Sequence, residues 1–534
     1  MTNKNKYGVR PTVRFKHGVF RSRNYGGEGG KIAIIGAFPC VSESLLTFDN
    51  IQAAREELKI TAGIHDTEWI ETPTGGERNY YVGDENNVGD YYPAAAALKW
   101  AFGAGTPLEG ASEVLVCNIT THKFNANGSI KCRQVPKLDA EGNVVTEEGS
   151  TVYIDGSPDY NVSLRHENDS KFADINYDKL KVALSKLKGE DFDMLILAYP
   201  LEDEKTGTLY DGTSTTMTDD YGNSLAKTEL VNVPTGVDVG IAGRLVQLLN
   251  FTHDSYTVRN PFGLGIGLRI PPSADSNDGS TVDESVVDSV INTNKSKHID
   301  EALAEKYLSI FKDPVHHAHS LYAMIFDDVH SPYVDAITDR SVITEISDVD
   351  ERRIRTGYIN PVEAVSAYFC ELASERVDTS FTQRPLTLID GVAEELNFDP
   401  TYFDTVNGNT DGVKLLAAGG TMFECINRSE NTWSVVNSRQ PCGYDIAHLR
   451  TAAYIIKQIA LAPFLGKINY DVTIEAIDSV LATLKDAMIE RFPIVESIDH
   501  AVRKETSSCV RIAIKINFYG LIIDEIVYVS MEVV

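Results

Sequence analysis

The stretch FDMLILAYP, Phe192–Pro200, constrains the fold more than any other feature, because Met194 to Tyr199 is apolar without interruption. A strand with one wet face alternates apolar and polar residues. A run without alternation implies cover on both faces, as in a parallel sheet flanked by helices. The segment before it, DKLKVALSKLKG, Asp178–Gly189, carries a helical pattern. The same order appears earlier: an apolar run at Ile32–Gly36, helical patterns at Asp49–Leu58 and Tyr92–Phe102 with Pro93 near the first turn, then a strand EVLVCNIT, Glu113–Thr120. Strand, helix and parallel strand in succession predict an α/β chain.

Over 534 residues, the pattern divides the chain into several units. These are a basic arm (1–30), an N-terminal α/β domain (31–120), a turn-rich β insertion (121–175) and a second α/β domain (176–376) with polar stretches at 201–228 and 273–297. A C-terminal α+β domain (377–508) and terminal strands (509–534) follow. In the third quarter, a proline-led helix is expected at Asn360–Glu375, and strand segments around a turn at Leu415–Ile426 and Asn431–Val436. Two long helices, about Ile446–Ala462 and Val472–Arg491, precede two amphipathic strands. The first of these is Val510–Phe518. The second places Ile523, Val527, Val529, Met531 and Val533 on one face. So apolar a terminus cannot lie exposed without inviting edge-to-edge association.

The net charge of −28 argues against nucleic acid as the main partner. Its distribution is uneven. Residues 1–31 hold Lys4, Lys6, Arg10, Arg14, Lys16, Arg21, Arg23 and Lys31 against Glu28 alone, a net +7 that leaves −35 on the other 503 residues. A basic arm on an acidic body has a partner available in a second copy of that body; a solvated tail or a weak nucleic-acid arm is the plainer alternative. The arm also alternates: Val9, Pro11, Val13 and Phe15 against Arg10, Thr12, Arg14 and Lys16. That is the period of a strand, and Pro11 confines it to an edge.

No apolar stretch of signal-peptide type occupies residues 1–30, and no run reaches the length of a membrane span, so synthesis in the cytoplasm and no membrane insertion are expected. The seven cysteines are scattered and lack CxxC spacing, as for reduced thiols.

Three motifs invite a chemical reading. NYGGEGGKIAIIGAFP, Asn24–Pro39, resembles a phosphate loop, but its glycines precede the strand instead of following it. Tyr25 and Ile32 also stand where that loop needs Gly and Ser or Thr. Gly26, Gly27, Gly29 and Gly30 are better read as a hinge at the root of the arm. His316, His317, His319, Asp327, Asp328 and His330 are metal-ligating types without a common zinc spacing. A metal-dependent α/β hydrolase built on them is the rival from a different class. NGNTDG, Asn407–Gly412, begins like a calcium loop, but Ala418 replaces the bidentate Glu, so a turn is expected. No catalytic motif, cofactor or metal site is predicted.

Four blocks in order resemble the tail sheath proteins of contractile bacteriophages. They are GKIAIIGAFP with YYPAAAALKWAFGAGTPLEGASEVLVCNIT; VPTGVDVGIAGRLVQLL; INPVEAVSAYFCELASERVDTSFTQRPLTLIDGV; and VKLLAAGGTMFECINRSENTWSVVNSRQ, continuing through RTAAYIIKQIALAPFLGKINYD. The resemblance implies a multidomain α/β chain with a subtilisin-like, non-catalytic core. It also implies a C-terminal domain facing an inner tail tube, and terminal strands exchanged between subunits. It further implies a homo-oligomer of stacked rings in the virion, with tail tube, baseplate and tail terminator proteins as partners. Arm residues Val9, Arg10, Val13, Arg14, Phe15 and Lys16 and the terminal strand are then intersubunit elements, and Arg450, Lys457 and Lys467 are candidate tube contacts. The sheath of a phage-derived injection particle fits the same pattern.

Overall fold

A computed structural model describes residues 30–60, 67–71, 77–81, 92–137 without 126, 145–162 without 148–149, 164, 178–199, 201, 216–218, 224–226, 241–257, 260–268, 301–311, 321–334, 357–393, 396, 411–438, 440, 444–460, 474–506 and 509–519. Its centre is one six-stranded sheet. The strands are β1 (Lys31–Gly36), β2 (Leu46–Phe48), β3 (Glu113–Asn118), β4 (Met194–Ala198), β5 (Gly263–Gly267) and β6 (Leu321–Ile325), in spatial order β6-β5-β4-β1-β3-β2. All pairs are parallel except β2 with β3. Taken along the chain, the five parallel strands lie in the order second, first, third, fourth, fifth, one of the two common doubly wound arrangements.

Because β1 pairs with β3 on one side and β4 on the other, the two α/β units expected on either side of residues 121–175 share a single sheet. The insertion leaves that sheet after β3 and returns before β4. It contains short hairpins, among them Cys132–Pro136 with Tyr153–Pro158 and Thr121–His122 with Tyr160–Asn161.

Successive side chains alternate between two cores. Ile32, Ile34, Val114, Val116, Met194 and Ile196 face α1 (Ile51–Glu57), α2 (Tyr92–Ala101) and α6 (Pro361–Ser374). Ala33, Ile35, Leu115, Cys117, Leu195 and Leu197 face α3 (Lys179–Leu187), α4 (Ile241–Thr257), α5 (Glu301–Ile310) and α7 (Asp411–Ala418). This double cover is why the strands read as unbroken apolar runs.

Helix α6 lies directly on the sheet because β5, GLGIG, offers it glycines. A Cβ on Gly265 would stand 2.4 Å from Val365 Cγ1, and one on Gly267 would stand 2.2 Å from the backbone of Pro361 and Val362. The helix starts where Asn360 accepts the Glu363 N–H at 2.9 Å and Pro361 supplies the first turn. Glu363 is fully buried, with Trp100 Nε1 donating to it at 3.4 Å from α2.

The segment from Leu415 differs from expectation. Asp411–Ala418 is helical, built from Lys, Leu and Ala, and it stops at Gly419, whose φ is +101°. The strand begins only at Phe423 and pairs, as β10 (Phe423–Asn427), with β11 (Thr432–Val435). Short strands β7 (Val329–His330), β8 (Tyr358–Ile359) and β9 (Gly391–Val392) form a small separate sheet.

The C-terminal region contains α8 (Ile446–Ala460), α9 (Ile474–Arg491) and the hairpin β12 (Val495–Thr506) with β13 (Cys509–Phe518). Ile455, Met488, Phe492, Val495 and Ile498 form its core, with Ile514, Ile516 and Phe518 against it. The strand expected at Val510–Phe518 is therefore paired within its own chain, and a boundary at residue 508 would cut this hairpin in two.

Candidate functional site

In doubly wound sheets, ligands bind at the carboxyl ends of the strands, where the winding reverses. Here that place lies between β1 and β4. The chain fills its surroundings with its own side chains: Phe38, two residues past β1, is 0% exposed, and Tyr199, one past β4, is buried. The segment leaving β1 is tied down as well. The Phe38 N–H donates to Asn118 Oδ1 at 3.2 Å and Thr120 Oγ1 at 3.1 Å, and Asn118 Nδ2 donates to the Cys40 carbonyl.

The histidine cluster does not assemble among the described residues. His316, His317 and His319 lie outside them, and no group of three or more His, Cys, Asp or Glu placed to hold a metal occurs within them. His330 is held by Asp390, with Nδ1 2.5 Å from Oδ1, and its ring meets Tyr358 edge-on at 5.2 Å. Glycines flank it: a Cβ on Gly357 would lie 2.5 Å from His330 Nε2. Burial, reinforced by Asp327, Asp390 and Asp328, holds the Tyr358 hydroxyl above its usual pKa.

The residues singled out for assembly divide by location. Val9, Arg10, Val13, Arg14, Phe15, Lys16, Gly26, Gly27, Gly29, Lys467, Ile523, Val527, Val529, Met531 and Val533 lie outside the described residues. Gly30 is described; its carbonyl accepts the Ser112 N–H at 2.6 Å.

Arg450 and Lys457, expected to face a tube, are engaged inside the chain. Arg450 is 8% exposed, and its guanidinium donates to the carbonyls of Leu372, Glu375 and Arg376 at 2.5, 3.1 and 3.2 Å. The Leu372 and Arg376 carbonyls also accept the N–H groups of Glu375 and Thr379 at 3.3 and 3.1 Å, so Arg450 adds a second donor to each, supplies one to Glu375, and places a cation at the negative end of the α6 dipole. Burial lowers its pKa to about 10. Lys457 Nζ donates to Asp193 Oδ1 at 2.9 Å and to the Phe192 carbonyl at 2.5 Å, and pairs with Asp191 Oδ1 at 3.5 Å.

Sequence reasoning missed what those lysine bonds complete. Lys31, the first residue of β1, donates its backbone N–H to Asp193 Oδ2 at 3.1 Å and its ammonium to Asp191 Oδ2 at 2.9 Å. Two acids just before β4 thus join the root of the arm to α8. The acidic spacing EDFD, Glu190–Asp193, before a buried strand was the available signal.

A second polar cluster fastens the other end. Asp445 Oδ2 accepts from Ser438 Oγ at 2.5 Å, Ser380 Oγ at 3.2 Å and Thr382 Oγ1 at 3.4 Å. The Asp445 N–H donates to His448 Nδ1 at 3.3 Å, which leaves Nε2 to donate to the Tyr519 carbonyl at 3.1 Å. Tyr519 is the last described residue before the terminal segment, and its own N–H donates to Ile494 O at 2.9 Å. Among the described residues, β12 and β13, of 12 and 10 residues, pair only with each other, so no described strand occupies the outer edge of either.

No protein-family model matches the chain, and no curated protein does. Among solved structures, the sheath tail protein of Desulfitobacterium hafniense is similar at 9% identity and a TM-score of 0.39, over 94% of this chain and 99% of that one. The sheath tail protein Lin1278 of Listeria innocua is similar at 9% identity and a TM-score of 0.40, over 92% of this chain and 96% of that one. At those scores neither likeness fixes topology or role. No described helix is long and apolar enough to cross a membrane.

Proposed function

We propose that the chain is a structural subunit of a contractile tail sheath, polymerising head to tail around a tail tube and contracting to drive the tube through a host envelope. The observation that carries this reading is the β12–β13 ribbon, whose strands pair only with each other among the described residues, in a chain whose two ends both carry strand patterns. Strand addition joins an extended segment to such an edge through main-chain hydrogen bonds. Head-to-tail contacts of that kind build rings where the rotation closes and helices where it does not. The +7 on residues 1–31 and the −35 on the rest of the chain favour the same head-to-tail encounter.

In this reading the exchanged strands are the arm residues Val9–Lys16 and the terminal residues Ile523–Val533, and Gly26–Gly30 is the hinge. The core acts as a near-rigid body, subtilisin-like in the family's terms although wound here in the order given above. Tube, baseplate and terminator proteins are the partners, and the virion tail is the location. The filled crevice at the switch point suits a subunit without catalytic duty.

Negative-stain microscopy of the purified full chain, alone and with a tube protein, tests the proposal. Rings or tubes are expected. Strictly monomeric particles at high concentration in both preparations would overturn it.

A further inference from the structure

We propose that the Asp191–Phe192–Asp193 turn is a coupling device, through which a displacement of helix α8 is passed to the root of the N-terminal arm. The inference does not depend on the sheath reading, because it rests on contacts within one chain. Both carboxylates are shared. Asp193 gives Oδ1 to Lys457 at 2.9 Å and Oδ2 to the backbone N–H of Lys31 at 3.1 Å. Asp191 gives Oδ1 to Lys457 at 3.5 Å and Oδ2 to Lys31 Nζ at 2.9 Å. Lys457 also holds the Phe192 carbonyl, which fixes the turn between the two acids.

The unequal exposure of these groups matters. Asp191 is 65% exposed, so its pairs are weakened by solvent, whereas Lys457 and Asp193 are 12% and 26% exposed and form the stronger half. Burial works against the charge on Lys31, yet Asp191, Glu113 and Asp193 outweigh it and hold its pKa above the ordinary value. Burial likewise opposes the Asp191 charge, and Lys457 and Lys31 hold its pKa down.

Among the described residues, the other anchors of the arm root lie within the sheet unit: Ser112 on Gly30, the Asp193 N–H on the Lys31 carbonyl at 2.9 Å and Glu113 on the Lys31 ammonium at 3.6 Å. The turn is therefore the described link between that root and α8. If Lys457 withdraws with its helix, three carboxylates, Asp191, Asp193 and Glu113, remain around one ammonium. Asp193 then turns toward water and the Lys31 N–H loses its side-chain acceptor.

Hydrogen exchange on the full chain tests this. In Lys457→Met, amides of the peptide spanning residues 30–36 should exchange about tenfold faster, although Lys457 touches none of them, and Asp193→Asn should match it. Acceleration confined to α8 in Lys457→Met would overturn the coupling. Where that variant does not fold, Lys457→Gln decides, since it removes the charge at Asp193 while keeping a polar side chain and likewise touches none of residues 30–36. Protection at 30–36 and along α8 should then fall together; a fall at one alone, or at neither, refutes the device.

Discussion

Gly267 and Pro361 meet backbone to backbone: a Cβ on the glycine would lie 2.2 Å from the Pro361 carbonyl carbon. At Gly265 the obstruction is instead side chain, Val365 at 2.4 Å and Phe369 at 2.8 Å. The difference sets an order of severity. Side chains can shift by rotamer changes, whereas the first turn of α6 cannot move without disturbing its cap. Gly267→Ala should cost roughly 3 kcal/mol or more and Gly265→Ala roughly 1–2 kcal/mol, read from denaturant unfolding of the full chain. Equal losses would show that α6 adjusts as a whole.

Removing Arg450 should leave the Glu375 carbonyl without its donor and take a second donor from the carbonyls of Leu372 and Arg376 at the end of α6. Arg450→Met keeps most of the volume and is expected to destabilise by about 2–4 kcal/mol, with Arg450→Lys recovering only part, since one ammonium cannot span the fork. Binding to an acidic tube surface, if measured by co-sedimentation, should not change in any Arg450 variant that folds.

Glu371 is buried in α6 and accepts the N–H groups of Thr387 and Leu388, each at 2.5 Å. Burial still dominates and raises its pKa to about 7. The folded chain thus binds this proton more tightly than the unfolded chain, so the contribution is full below about pH 4 and is lost as pH rises through about 7. Glu371→Gln should remove that slope and gain on the order of 3 kcal/mol relative to the parent at pH 8, with little gain near pH 4. Unfolding midpoints at the two pH values provide the check.

Deletion of Met1–Arg23 should leave a folded monomer that does not polymerise. Stiffening the joint, with Gly27→Ala and Gly29→Ala together, should impair assembly or contraction more than stability. Circular dichroism and electron microscopy separate the two effects, and normal polymers from the truncated chain would refute exchange through the arm.

The sheet was readable wherever burial on both faces produced a continuous apolar run, as at Ile32–Ile35, Glu113–Asn118 and Met194–Ala198. It was unreadable at β5, because Gly265 and Gly267 satisfy a close helix approach and, with Gly263, carry no hydrophobic signal. In β12, register shifts between Val495 and Ser497 and between Lys504 and Thr506 break the two-residue period by which a strand is recognised. Helices α8 and α9 were visible from their periodicity, but the orientation of Arg450 and Lys457 was not, because a cation facing inward looks the same in sequence as one facing water. The pairing of Asp193 with Lys457, 264 positions apart, is likewise a property of the tertiary arrangement.

Strand β1 lies in the middle of the sheet, bonded along its whole length to β3 and β4, and the arm continues from its first residue. Tension applied to the arm would therefore pull β1 along its own axis. Both rows of hydrogen bonds would bear that load at once in shear, instead of opening one after another like a zipper. A chain tethered to its neighbours at this point is held by the mechanically strongest direction of its sheet.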